Sequence, residues 1–174
     1  DTGYAGSVFE RAWSIRGFED LMEDLLHAPN RAHALLERTA HFQQFAARQF
    51  ARAGADIIVT GDDVAGQNGL LMQPRTWREF LKPRLAATVR AVKEGNPATR
   101  VFYHCDGDVT ALIPELIEIG VDILNPIQPE CMNPAAVKRD YGDRLAFWGS
   151  VSVQRTLPLG TPAEVRAEVR NRIQ

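Results

Sequence analysis

Residues 100–120, RVFYHCDGDVTALIPELIEIG, contain one complete strand-turn-helix unit. Arg100 to His104 is a short apolar and aromatic run with no helical stripe, which predicts a strand buried on both faces. A polar turn follows, then a helix with Pro114 in its first turn and Gly120 just past its end. The same alternation occurs three more times. A strand is expected at residues 56–60, and a long helix behind Pro74 carries the stripe Trp77, Phe80, Leu81, Leu85, Val89 and Val92. Residues 121–124 form the next strand, followed by a short helix capped by Asn133 with Pro134 at its first position. Residues 145–148 form the last strand. Thr161-Pro162-Ala163-Glu164 is a capping box that opens a helix striped by Val165, Val169 and Ile173.

Four consecutive strand-helix units with apolar strands predict an α/β fold, a parallel sheet with helices outside. Two helices precede them, one over residues 18–27 and one from Pro29 to Gly54, the latter with a stripe of Leu35, Leu36, Phe42, Phe45, Ala46, Phe50 and Ala53. The expected organisation is a single domain over 1–174, with 1–54 a helical lead-in and 55–174 the βα units. The loops distinguish an open sheet from a barrel. Polar and glycine-rich residues follow every strand, in GDDVAGQNG, HCDGD, NPIQPECMN and GSVSVQ, so all four strands feed one polar rim. That is the habit of a (β/α)8 (TIM) barrel, whereas an open sheet gathers its site at one switch point. A whole barrel needs about 250 residues, so four strands in this chain predict a partial TIM barrel with two open sheet edges. The start at Asp1 without methionine, and the end at Gln174 inside the pattern AEVRAEVRNRIQ, lead to the expectation of a fragment of a longer protein.

Composition limits the functional classes. The 174 residues carry twenty basic and twenty-two acidic side chains, interspersed, for a net charge of −2, so no basic stripe suggests nucleic acid as a partner. No apolar run approaches the roughly 18 residues of a membrane span, and no signal segment opens the chain. Two cysteines, Cys105 and Cys131, are too few for a disulfide framework, and a reduced, cytoplasmic setting is expected. No Walker pattern, GxGxxG or GxSxG is present, which turns the reading away from nucleotide binding and serine hydrolysis.

Strand parity organises the chemistry. Phe102, His104 and, with extended backbone, Asp106 share one face, while Tyr103 and Cys105 share the other. His104 with Asp106 at the end of a strand is a candidate metal site or acid/base pair; the plainer reading is an imidazole held by a carboxylate. Cys105 then faces the helices as a small buried hydrophobe. Asp62 and Asp63 are adjacent carboxylates at a strand end, a costly pair unless one serves a ligand, a cation or the N-terminus of a neighbouring helix. Gln67, Asn125 and Gln128 are rim amides able to hold a polar substrate or to tie loops together, and Trp148 is either core packing or a wall for a flat ligand. Cys131 has no CxxC or HxxxH spacing around it and reads as a free loop cysteine. His27, His33 and His41 lie on the lead-in helices as surface or satisfied residues.

Taken together, FERAWSIRGFEDLMEDLL, AGADIIVTGDDVAGQNGLLMQPRTWREFLKPRL, FYHCDGDVTALIPELIEIGVDILNPIQPE and KRDYGDRLAFWGSVSVQRTLPLGTPAEVR resemble the uroporphyrinogen decarboxylase superfamily over nearly the whole chain. That resemblance implies a TIM barrel and one of two chemistries: decarboxylation without a cofactor, or methyl transfer with corrinoids, in some members with a zinc that activates a thiol. Members that activate a thiol carry His-x-Cys where this chain has His104-Cys105-Asp106, so Asp106 replaces a ligand cysteine. A hard carboxylate in that place suits thiolate generation poorly, while demethylation of a methoxy or methylamine compound onto a separate corrinoid protein survives the change. The decarboxylase tyrosine falls near Trp13, and GDDVAGQ differs from the serine-containing turn of true decarboxylases. The resemblance therefore implies methyl transfer, with His104, Asp106, Asp62 and Asp63 in catalytic roles, His104 and Asp106 on a metal, and Gln67, Asn125, Gln128 and Trp148 around the substrate. The alternatives are cofactor-free decarboxylation of uroporphyrinogen in porphyrin and heme synthesis, and a non-catalytic half-barrel.

Overall fold

A computed structural model describes residues 1–173. The chain opens with a strand, β1 (Thr2–Gly6), followed by helices α1 (Phe9–Arg16), α2 (Phe18–His27) and α3 (Pro29–Arg52). Strand β2 (Ile57–Gly61) leads through a small hairpin, β3 (Ala65–Gly66) and β4 (Gly69–Leu70), into α4 (Pro74–Phe80) and α5 (Lys82–Gly95). Strand β5 (Arg100–His104) is followed by a 3-10 turn and α6 (Ile113–Glu118), and β6 (Ile123–Asn125) by α7 (Pro134–Tyr141). The last elements are β7 (Ala146–Phe147), α8 (Thr156–Leu159) and α9 (Pro162–Ile173). The main sheet runs β1-β2-β5-β6-β7, every pair parallel, with Val59 opposite both Tyr4 and Phe102, and Gly61 opposite His104. His104 is in turn opposite Asn125.

The four expected strands are present, and the sheet is the parallel, helix-covered one their patterning implied. The lead-in differs, because it contributes a strand and three helices rather than two helices alone. TGYAG has no valine or isoleucine and only one β-branched residue, Thr2, and its two glycines disguise it further. The glycines fit because the strand is packed closely: a Cβ on Gly3 would lie 2.7 Å from Phe50.

The buried face of α3 also differs from the expected stripe. Ala32, Leu36, Thr39, Ala40, Gln43, Ala47 and Ala51 point inward, while Phe42 and Phe45 are 55% and 57% exposed. Alanines at 32, 40, 47 and 51 let α3 lie close to its neighbours, while Phe42 and Phe45 turn away from that contact. Gln43 spans the layers from this face, donating to the Gly6 carbonyl at 2.6 Å and to Thr60 Oγ1 at 2.7 Å. The stripe of Trp77, Phe80, Leu81, Leu85, Val89 and Val92 is buried as its spacing predicts. The helix carrying it breaks between Phe80 and Lys82 because Pro83 offers no N–H and cannot continue α4. Both predicted caps form, Asn133 Oδ1 accepting from Ala136 N–H at 3.2 Å and Glu164 Oε2 from Thr161 N–H at 2.7 Å. The α9 stripe is not buried: Val169 and Ile173 remain 37% and 79% exposed, because no described element packs over that face.

Candidate functional site

The strands end on one rim, and their parity sorts what they deliver there. Tyr103 and Cys105 are buried toward the helices, whereas Phe102 and His104 face the concave side of the sheet. Cys105 accepts a hydrogen bond from Val64 N–H at 3.3 Å, and burial pushes its thiol well above the ordinary range. It is a packed, unreactive thiol. On the concave side a cleft of about 290 Å³ is lined by Tyr4, Glu10, Val59, Phe102, His104 and Asn125. Trp148 follows β7 and packs edge-on against Phe102, ring centres 5.6 Å apart.

His104 is the centre of the polar set. Its Nδ1 lies 2.6 Å from Asn125 Oδ1, and Asn125 Nδ2 donates to the Trp148 carbonyl at 2.6 Å. Its Nε2 faces two carboxylates, Asp63 Oδ1 at 3.8 Å and Asp106 Oδ1 at 4.0 Å. Ligand atoms of Asp63, His104 and Asp106 all fall within 4.8 Å of one another. Asp63 is held by the Asp106 N–H, which donates to Asp63 Oδ1 at 2.8 Å. The strand ends can approach this closely because residue 61 is glycine: a Cβ there would sit 2.1 Å from the His104 carbonyl oxygen.

Asp62 and Asp63, adjacent in sequence, diverge in space. Asp62 turns under the rim, where its Oδ1 accepts from Phe9 N–H at 2.6 Å and Glu10 N–H at 3.2 Å, so it caps α1. Burial pushes the Asp62 carboxyl up to about 8, against the opposing pull of those N–H donors. Gln128 is buried and accepts from Gly107 N–H at 3.1 Å, tying two rim loops together. Gln67 is exposed in the turn between β3 and β4. Cys131, half-buried, donates to the Gln128 carbonyl. His33 stacks on Phe80 with ring centres 4.4 Å apart, while His27 and His41 are exposed.

Two cleft residues escaped the sequence reading. Tyr4 lies on the unrecognised β1. Glu10 sits in the first turn of α1, 94 positions before His104, and only the fold brings them together. Its carboxyl is raised by burial and then by Asp63, with the Ser7 hydroxyl and His104 pulling the other way. Glu10 immediately follows the helix start that Asp62 caps, so one aspartate of the DD pair aims a cleft residue and the other faces the imidazole.

A larger cavity of about 600 Å³ lies beside α8 and α9, among Glu130, Ser152, Arg155, Glu168 and Arg172. None of the residues gathered around His104 lines it, and its Glu168 and Arg172 already pair with each other at 3.0 Å. The rim cleft is therefore the candidate site.

Parallel strands, outer helices and a polar rim at the strand C-termini define this chain as part of a TIM-barrel protein. Its sequence matches the family described as "Uroporphyrinogen decarboxylase (URO-D)" over residues 2–174, and the chain belongs to that family. Among curated proteins it is similar to the methylated-thiol–coenzyme M methyltransferase of Methanosarcina mazei, 27% identical over 162 residues, which are 93% of this chain and 41% of the relative. Among solved structures, a methyltransferase from Methanosarcina mazei superposes with a TM-score of 0.83 at 23% identity, over 99% of this chain and 49% of the other. The chain thus spans less than half the length of the proteins it matches.

Proposed function

We propose that the protein to which this chain belongs transfers a methyl group from a small methylated substrate to a corrinoid carried by a separate protein, at a metal centre held by His104, Asp63 and Asp106. The observation that carries this reading is the convergence of two carboxylates on His104 Nε2. One imidazole nitrogen and two carboxylate oxygens form a donor set that zinc accepts, leaving a position open as catalytic zinc sites require. The spacings are also of the right order. Ligand atoms about 2.0–2.2 Å from a tetrahedral ion lie roughly 3.4 Å apart, close to the 3.8 and 4.0 Å that separate His104 Nε2 from the two carboxylates.

When bound, the metal would act as a Lewis acid on the heteroatom that bears the methyl group. The chain's own residues supply the rest. Tyr4, Phe102 and Trp148 form an apolar wall beside the centre, against which the body of the substrate can rest. As the carbon–heteroatom bond breaks, its electron pair stays on the heteroatom and a proton must follow; Glu10, at the cleft wall, stands where that proton can be held. With Asp106 in place of a thiolate, the donor set is hard. It favours polarising a methoxy or methylamine donor over activating a thiol.

The test is to mix the full-length protein and reduced, cobalt(I) corrinoid with methoxy, methylamine and methylthiol donors in turn, and follow the corrinoid absorption spectrum. Methylation of the corrinoid with a methoxy or methylamine donor is the expected result. Decarboxylation of uroporphyrinogen, with no corrinoid methylated by any donor, would overturn the reading in favour of the cofactor-free chemistry.

A further inference from the structure

Asn125 and the backbone that follows it have a feature that substrate contact does not explain. The Asn125 side chain is committed at both ends, to the His104 ring and to the Trp148 carbonyl, each at 2.6 Å. Because a carbonyl can only accept, the Asn125 amide nitrogen must be the atom facing Trp148, which leaves Oδ1 facing the ring. Oδ1 can only accept in turn, so Nδ1 of His104 must carry the proton. A neutral imidazole with its proton on Nδ1 presents the Nε2 lone pair toward Asp63 and Asp106.

The anchor of this chain of bonds is itself held by unusual backbone. Ile127 and Ser150 are non-glycine residues with φ of 52° and 67°, a region costly for L side chains. They follow Asn125-Pro126 and Trp148-Gly149, and Ser150 N–H donates to the Pro126 carbonyl at 2.6 Å. Gly149, at φ 121°, passes so close to Pro126 that a Cβ would lie 2.8 Å from its carbonyl oxygen. The loops after β6 and β7 are thereby locked together at the point where the Trp148 carbonyl must meet Asn125.

We propose that Asn125 is a positioning residue that fixes the tautomer and orientation of His104, with the Trp148 carbonyl as its anchor, so that Nε2 is delivered to the cation centre. This deepens the metal-centre reading and rests on it for its purpose, though the tautomer itself can be observed without metal. A ligating histidine whose second nitrogen donates to a fixed acceptor is the arrangement by which proteins orient metal ligands.

The experiment uses the full-length protein with 15N-labelled histidine, stripped of metal and kept alkaline enough for neutral imidazole, followed by zinc titration against a chromophoric chelator. Wild type is expected to show Nδ1 as the protonated and Nε2 as the bare nitrogen of His104. Asn125→Ala is expected to lose that preference and to bind zinc about ten- to a hundredfold more weakly. Asn125→Asp keeps an acceptor for the ring but sets a second oxygen against the Trp148 carbonyl, so it should retain the Nδ1–H tautomer while losing the anchor, with a zinc affinity between those of wild type and Asn125→Ala. A wild-type Nε2–H tautomer, or an Asn125→Ala protein with unchanged tautomer and affinity, would overturn the proposal. If wild type binds no zinc yet shows the Nδ1–H form, lost in Asn125→Ala, the relay stands and the metal reading falls. Should Asn125→Ala not fold, the wild-type tautomer and Asn125→Asp decide.

Discussion

Asp62 and Asp63 share a side-chain type and a strand end, yet the fold gives them opposite tasks. Asp62 is buried beneath α1 with its carboxyl raised to about 8, whereas an unfolded aspartate titrates near 4. Between those values the native state binds more protons than the unfolded one, so this group's contribution is fully present below about pH 4 and is lost as pH rises through about 8. Asp62→Asn keeps an acceptor for the Phe9 N–H but cannot ionise. Its unfolding free energy, from urea titrations at a series of pH values between about 5 and 9, is predicted to decline less steeply than that of wild type. Equal slopes would show that Asp62 does not titrate in this window. The sequence made the pair visible but could not divide it, because the divergence depends on where α1 begins. Glu10 was illegible for a related reason. Its place in the cleft comes from β1 pairing with β2, and nothing around Glu10 in the sequence marks a site. His104 was legible because β5 has the bounds its sequence pattern predicts, and parity then fixed its face.

At the scale of elements, α3 shows why a hydrophobic stripe is a weaker signal than it looks. The phenylalanines gave the stronger pattern, but the alanines lie in the contact, since a helix pressed against a strand and a second helix has little room at those positions. Ala47 is fully buried. Ala47→Leu is predicted to destabilise the protein by about 1–3 kcal/mol through overpacking, while Phe42→Gln and Phe45→Gln change stability by about 0.5 kcal/mol or less. Urea unfolding distinguishes the two sets, and a large loss from the phenylalanine variants would mean that the outer face of α3 is covered. The strand-helix alternation, by contrast, was readable at nearly every step, because caps and prolines sit at positions where backbone geometry leaves few alternatives. The break at Pro83 belonged to that readable class and was masked by the continuous stripe across it.

For the whole molecule, the parallel sheet explains both the site and a liability. Every strand delivers its C-terminal end to one rim, so residues far apart in sequence meet there. Among the described residues β1 and β7 each have one neighbour only, and Tyr4 and Trp148 on the concave face are 65% and 54% exposed. An open parallel sheet with an apolar concave face pairs readily with other chains. The chain of residues 1–174 on its own is predicted to self-associate in sedimentation velocity, and a monodisperse monomer at micromolar concentration would contradict that. No helix among the described residues is long and apolar enough to cross a membrane.

Metal content decides whether His104 sits at a metal centre. Elemental mass spectrometry of the purified full-length protein is predicted to find about one divalent metal per chain, lost in His104→Ala, Asp63→Ala and Asp106→Ala alike while each variant keeps its fold by circular dichroism. A wild-type protein that takes up no metal after dialysis against zinc, or variants that retain it in full, would contradict the account and leave His104 as an imidazole steadied by its neighbours.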